Sequence, residues 1–120
     1  MSLLAYFLDD ELEILEIFQD MYCDSNHVVK TFSDHEKFIE AIRGQRPDVV
    51  FIDFRLPRIS GEQVAQMIDA LPGARISKAL VTGDLDVQSN PYFDAVFGKP
   101  MQFDQISAFL DRCRANKNSK

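Results

Sequence analysis

Two short segments of this chain share one design. Leu3–Leu8 is a continuous apolar run stopped by Asp9 and Asp10, and the apolar run Val49–Ile52 in DVVFID is stopped by Asp53. An apolar run without alternation suits a strand buried on both faces, as in a parallel sheet. Between the two, Glu11–Tyr22 places Ile14, Leu15, Phe18, Met21 and Tyr22 on one helical face, with Glu13, Glu16, Gln19 and Asp20 opposite. That is the pattern of a helix lying on a sheet.

The rest of the chain repeats the unit. His27–Phe32 reads as a second strand, and Ser33 or Asp34 caps a helix carrying Phe38, Ile39, Ala41 and Ile42 as far as Gly44. After Asp53 and the loop FRLPRIS, Ser60 opens a third helix with Val64, Met67, Ile68 and Leu71 inward, closed by Pro72-Gly73. Lys78–Thr82 is a fourth strand, Ala95–Gly98 a short fifth, and Phe103–Arg114 a final helix with Phe103, Ile106, Leu110 and Cys113 on one face. Strands and helices in alternation, joined by short loops, predict an α/β fold with right-handed crossovers. Five strands and about five helices point to the flavodoxin-like doubly wound sheet, strand order 2-1-3-4-5, whose ligand crevice lies at the carboxyl ends of the strands.

A chain of 120 residues, 46% hydrophobic and 27% charged, suits one soluble globular domain. Its expected extent is residues 1–115, with a frayed polar tail at 116–120. A net charge of -6 repels nucleic acid and anionic membrane surfaces. The apolar runs are far shorter than the roughly 20 residues that span a bilayer, and no basic-then-apolar leader precedes them, so a cytoplasmic protein is expected. Cys23 and Cys113 are far apart, lack metal spacing and read as free thiols. His27 and His35 read as surface residues, and Met21 and Met67 as core filler.

The residues expected at the carboxyl ends of the strands are Asp9 and Asp10, Asp53, Thr82 and Lys99. Clustered carboxylates repel, by about 4 kcal/mol for unit charges about 4 Å apart at an effective dielectric near 20, so the pocket calls for a divalent cation. Oxygen ligands without His or Cys favour Mg²⁺ over zinc. A carboxylate beside Mg²⁺, with a hydroxyl and an ammonium for other oxygens, is arranged to attack phosphorus, and Asp53, alone on the central strand, is the nucleophile. Singly, each residue has a plainer explanation: Asp9 or Asp10 as a helix cap, Asp53 or Lys99 as a solvated charge, Thr82 as a β-branched strand residue. Their joint placement favours a phosphoryl-accepting site.

FLDDE, Asp53 followed by Pro57 and Gly61, Thr82-Gly83 and Lys99-Pro100 together resemble the bacterial two-component response-regulator receiver family (CheY-like) along essentially the whole chain. The resemblance implies that Asp10, Asp53 and the backbone carbonyl of Arg55 ligate Mg²⁺, with Asp9 acting through water. It implies that Lys99 pairs with the acids before phosphorylation and with the phosphoryl group afterwards, while Thr82 and the N–H groups of Arg55 and Gly83 bind the remaining oxygens. It implies a cis Lys99-Pro100 bond, and a sensor histidine kinase or phosphotransfer protein as donor.

Two departures stand out. From Thr82 to Lys99 there are 17 steps, roughly one helical turn fewer than the family usually has, and Pro91 lies between them. A shortened or irregular fourth helix is therefore expected. Where the family usually has an aromatic switch residue on the fifth strand, this chain has Val96, and alternation sends neighbouring Phe97 to the opposite face. Both departures fall on the fourth-helix and fifth-strand output face, which is expected to be atypical. Arg55 and Asp84 stand at positions that in this family flank the mouth of the pocket; the resemblance allows an ion pair across it, and two solvated charges are the plainer reading.

Three functional readings follow. The first is a phospho-accepting signalling domain that changes partner binding and catalyses only its own phosphorylation and dephosphorylation. The second is a receiver-like interaction adaptor that signals without phosphorylation. The third, a flavin carrier or magnesium phosphatase on the same fold, lacks a phosphate-binding loop after the first strand, where DDEL stands, and lacks a general acid.

Overall fold

In a computed structural model of the chain, which describes residues 3–22, 27–83, 89–99 and 103–118, both acid-stopped runs are strands, Val49–Asp53 buried throughout and Leu3–Leu8 at every residue but the half-buried Leu4. The elements in order are β1 (Leu3–Leu8), α1 (Leu12–Tyr22), β2 (His27–Phe32), α2 (His35–Gly44), β3 (Val49–Asp53), α3 (Gly61–Ala70), β4 (Ser77–Thr82), β5 (Ala95–Gly98) and α4 (Phe103–Asn118). The strands form one parallel sheet in the order β2-β1-β3-β4-β5. The strand order reverses beside β1, so the crossover through α1 lies on one face, those through α2 and α3 lie on the other, and the crevice opens at that point.

Alternation along the strands divides the core in two. Leu3, Ala5, Phe7, Val49, Phe51, Ala79 and Val81 face α1 and α4, where they meet Leu15, Phe18, Ile106, Phe109 and Leu110. Tyr6, Leu8, Val50 and Ile52 face α2 and α3, where they meet Phe38, Ile39, Ile42, Val64 and Ile68. Local chemistry marks the helix starts. Asp34 caps α2 by accepting the Glu36 N–H, and Ser60 caps α3 in a reciprocal box with Gln63.

Several details correct the sequence reading. Met21 and Met67 are 53% and 40% exposed rather than core filler. The buried stripe of α1 runs through Leu15, Phe18 and Tyr22, and that of α3 through Val64, Ala65 and Ile68, and each methionine sits one residue to the side of its stripe. His27, expected at the surface, is buried, because it shares the inward side of β2 with Val29. Helix α4 continues to Asn118, past Arg114 and into the expected tail, since no Gly or Pro interrupts it. Cys113 is a buried free thiol, while Cys23 lies outside the described residues.

No helix connects β4 to β5 among the described residues. Ser89–Asp94 is a turn segment, and residues 84–88, where the rest of the irregular fourth helix was expected, lie outside the description. The segment is anchored nonetheless. Phe93 packs on the α2/α3 side of the core, and Asn90 Nδ2 donates to Glu62 Oε2 at 2.9 Å.

Gly61 begins α3 directly behind the end of β3. A Cβ built there would lie 2.7 Å from the Asp53 carbonyl oxygen and 3.2 Å from Phe54 Cα, both backbone atoms that cannot swing aside. The Gly61 N–H also donates to the Phe54 carbonyl at 3.0 Å, closing the loop on itself. Gly61→Ala should therefore lower stability by about 2 kcal/mol, as overpacking does, read as a fall in the urea midpoint. Gly44→Ala, with nothing within 4 Å of the added carbon, is the control and should be neutral or slightly stabilising.

Candidate functional site

Asp9 follows β1 and Asp53 ends β3, and these strands are neighbours in register, with Leu8 opposite Ile52. Strands in a sheet lie about 4.8 Å apart, so the two carboxylates are brought side by side by the sheet itself. Both are buried, whereas Asp10 is exposed at the rim. One carboxylate oxygen from each of Asp9, Asp10 and Asp53 falls within 4.8 Å of the others.

The cation among them is Lys99. Its backbone N–H donates to the Thr82 carbonyl at 2.9 Å, one step beyond the Thr82–Gly98 pairing of β4 and β5. From there Nζ reaches Asp9 Oδ2 at 3.2 Å, Asp53 Oδ1 at 3.3 Å and Glu11 Oε1 at 3.3 Å. The Arg55 N–H points at the same Asp53 Oδ1, at a long 3.4 Å. Thr82 is buried at the end of β4, and Gly83 follows it at the surface.

Asp9 divides its work between two oxygens. Oδ1 accepts the Glu11 N–H at 2.9 Å and so organises the start of α1, the capping role foreseen as its plainer explanation. Oδ2 is buried beside the Lys99 ammonium and accepts no well-aligned hydrogen bond. A buried anionic oxygen left in that state, with two further carboxylates in reach, fits a place beside a hard divalent ion such as Mg²⁺ and its bound waters.

Burial raises the Asp53 carboxyl to about 6, and the negative charge of Asp9 adds to the effect. Burial raises Asp9 as well. Burial opposes the charged form of Lys99, but the carboxylates of Asp9 and Asp53 outweigh it and hold the ammonium above its usual value. One ammonium thus offsets the repulsion between two buried acids only in part, and the site without metal retains excess negative charge.

The structure therefore brings Asp9, Asp10, Asp53 and Lys99 together, with Thr82, Gly83 and the Arg55 backbone around them. Asp84, the second expected rim residue, lies outside the described residues, as does Pro100. Val96 is half-buried, and Phe97 lies on the other face with its ring 6.1 Å from Phe51 and 5.5 Å from Phe109. Glu11 was not among the expected site residues. Its only signal was its place directly after the two acids in FLDDE.

Residues 6–92 match the family described as response regulator receiver domain. An uncharacterized response regulatory protein of Shewanella oneidensis is 29% identical over 111 residues, covering 89% of this chain and 47% of that protein. A protein-glutamate methylesterase/protein-glutamine glutaminase of Nitrosospira multiformis is 33% identical over 70 residues, covering 58% of this chain and 19% of that protein. The chain thus spans less than half the length of these relatives. Among solved structures, a CheY-like receiver domain from Methylobacillus flagellatus superimposes with a TM-score of 0.86 at 20% identity, covering 94% of this chain and 99% of that one. Thermotoga maritima TrrA in complex with Mg(2+)-BeF gives 0.78 at 21% identity, covering 94% and 99%. TrrA in complex with histidine kinase ThkA gives 0.81 at 22%, covering 94% and 98%.

The raised Asp53 carboxyl makes a prediction about stability. Between the ordinary carboxylate value of 3.8 and about 6, the folded protein binds more protons than the unfolded chain. Without metal, Asp53 therefore makes stability fall as pH rises through that window. Asp53→Asn should flatten this part of the profile and, in chelator at pH 7, stabilise the protein by on the order of 2 kcal/mol. Added Mg²⁺ should stabilise the wild type far more than the variant, with apparent affinity weakening as pH falls through about 6. Urea titrations across pH, with EDTA or MgCl₂, measure both effects.

Proposed function

Because the chain belongs to the response regulator receiver domain family, we propose that it takes a phosphoryl group onto Asp53 from a sensor histidine kinase or phosphotransfer protein and changes its partner binding in consequence. The observation that carries this reading is the placement of Lys99 Nζ, 3.3 Å from Asp53 Oδ1, over a buried carboxylate that also faces the Arg55 N–H. In the transfer, an Asp53 oxygen forms the new O–P bond as the N–P bond of a phosphohistidine breaks. The bonding pair stays with the nitrogen, and because the other ring nitrogen of the phosphohistidine already carries a proton, the ring leaves as neutral imidazole.

Each residue then has a task. Asp10, Asp53 and the Arg55 carbonyl would hold Mg²⁺ directly and Asp9 through water; when bound, the ion supplies charge neutralisation for the phosphoryl oxygens. Lys99 exchanges its carboxylate partners for a phosphoryl oxygen. The Thr82 hydroxyl and the N–H groups of Arg55 and Gly83 take the others. The domain, residues 1–115, turns over no external substrate and catalyses only its own phosphorylation and dephosphorylation. The half-buried Val96 and the helix-free Ser89–Asp94 segment support an atypical output face. The absence of a long apolar helix among the described residues is compatible with the cytoplasmic location this reading requires.

Intact mass after incubation with acetyl phosphate tests the proposal. The wild type should gain one phosphoryl group when Mg²⁺ is present, and Asp53→Asn should gain none. A wild type that stays unmodified with excess donor and Mg²⁺ would instead favour an interaction adaptor that signals without phosphorylation.

A further inference from the structure

The Lys99 ammonium is shared by three carboxylates, and the site chemistry described above uses two of them. The third, Glu11, is held in place from both sides of its backbone. Its N–H is bound by Asp9 Oδ1, and its carbonyl accepts the first helical N–H groups, from Ile14 at 3.1 Å and Leu15 at 3.3 Å. The side chain, 59% exposed, projects from this fixed point across the mouth of the crevice to place Oε1 3.3 Å from Nζ. Glu11 stands apart from the group of acids whose oxygens converge for a cation, so its partner is the ammonium.

We propose that Glu11 is a positioning residue that competes with the incoming phosphoryl group for Lys99, and so restrains both the phosphorylation rate and the stability of the phosphorylated state. The inference rests on the phospho-accepting reading of Asp53. Once Asp53 carries a phosphoryl group, the oxygen that takes up Nζ must draw it from Glu11 or share it. A carboxylate within hydrogen-bond reach of Nζ is then close enough to repel the phosphoryl oxygens. The same charge meets any anionic donor arriving through the mouth. Because Glu11 is largely solvated, its effect is moderate and screened by salt.

The test compares wild type, Glu11→Gln and Glu11→Asp in Mg²⁺, with acetyl phosphate as donor. In this reaction an Asp53 oxygen forms an O–P bond while the donor's O–P bond breaks, and acetate leaves with the bonding pair. Glu11→Gln keeps the shape and loses the charge. It should be phosphorylated about two- to fivefold faster at low ionic strength and should hold beryllofluoride more tightly. Its advantage should shrink as NaCl approaches about 1 M, where the screening length is about 3 Å. Glu11→Asp should remain near the wild type in rate and salt dependence. A loss of local structure alone would move neither the salt dependence nor the charge-conserving variant in this way. Equal rates and equal salt dependence in wild type and Glu11→Gln, or a slower Glu11→Gln, would overturn the role of Glu11 while leaving the site reading intact. A wild type that neither takes a phosphoryl group nor binds beryllofluoride would overturn the site reading and this role with it.

Discussion

The ion pairs made by Lys99 are the interaction on which the rest of the site depends. Asp9 and Asp53 end adjacent strands in a buried crevice, and two unit charges about 4 Å apart repel by about 4 kcal/mol at an effective dielectric near 20. The sheet cannot relieve this by moving, because β1 and β3 are the central pair, with neighbours on both sides. Relief has to come from a cation delivered by another strand. The Thr82 carbonyl supplies the fixed point by binding the Lys99 N–H, so the flexible lysine stem leaves the sheet where both acids are in reach. One ammonium does not neutralise three carboxylates, and the remaining charge is what makes the crevice receptive to a divalent ion.

A second constraint comes from the aromatic side of the core. Phe7, Phe18, Phe51, Phe97 and Phe109 form a continuous set of ring contacts between the sheet, α1 and α4. Phe97 belongs to this set, so turning it to the face of Val96 would empty a site beside Phe51 and Phe109. Removing a large aromatic side chain from a core costs about 3 to 5 kcal/mol. Val96 must therefore serve on its own face with its own small volume, and a response that relies on an aromatic ring moving at that position is not built into β5. What the other face offers instead is a direct link between the loop that follows Asp53 and the β4–β5 connection. Asn90 binds Glu62, the residue after Gly61, and Gly61 in turn closes the loop that follows Asp53.

Most of the fold was legible because both periodicities were strong. Unalternated apolar runs identified β1 and β3, and the acids that stop them marked the carboxyl ends, from which Asp9, Asp10, Asp53, Thr82 and Lys99 could be gathered into one crevice. The less legible features share one cause. A one-residue rotation on a helix separates Met21 from Tyr22 and Met67 from Ile68, and hydrophobicity alone does not resolve it. His27 is polar by type but sits at the inward position of its strand. Glu11 could be identified as a partner of Lys99 only once the 88-residue separation between them was closed by the sheet.

Lys78 belongs with these, and it explains why β5 can follow β4 without a described helix between them. As a residue of β4 it takes the face toward α3, where its ammonium is buried and pairs with Asp69 Oδ1 at 2.7 Å. An isolated buried ammonium would be costly, so Asp69 and Lys78 tie α3 to the start of β4. The Lys78 backbone meanwhile exchanges two hydrogen bonds with Asp94. Its N–H donates to Asp94 Oδ2 at 2.8 Å, and its carbonyl accepts the Asp94 N–H at 2.7 Å. Arg75 pairs with the same Asp94 carboxylate. The returning chain is thereby locked into register immediately before Ala95, whatever path it takes from Gly83. Strand β5 is thus fixed at its start by Asp94 and at its end by the bond between Lys99 and Thr82. Those two fixed points, rather than the chain between them, deliver the ammonium to Asp9 and Asp53.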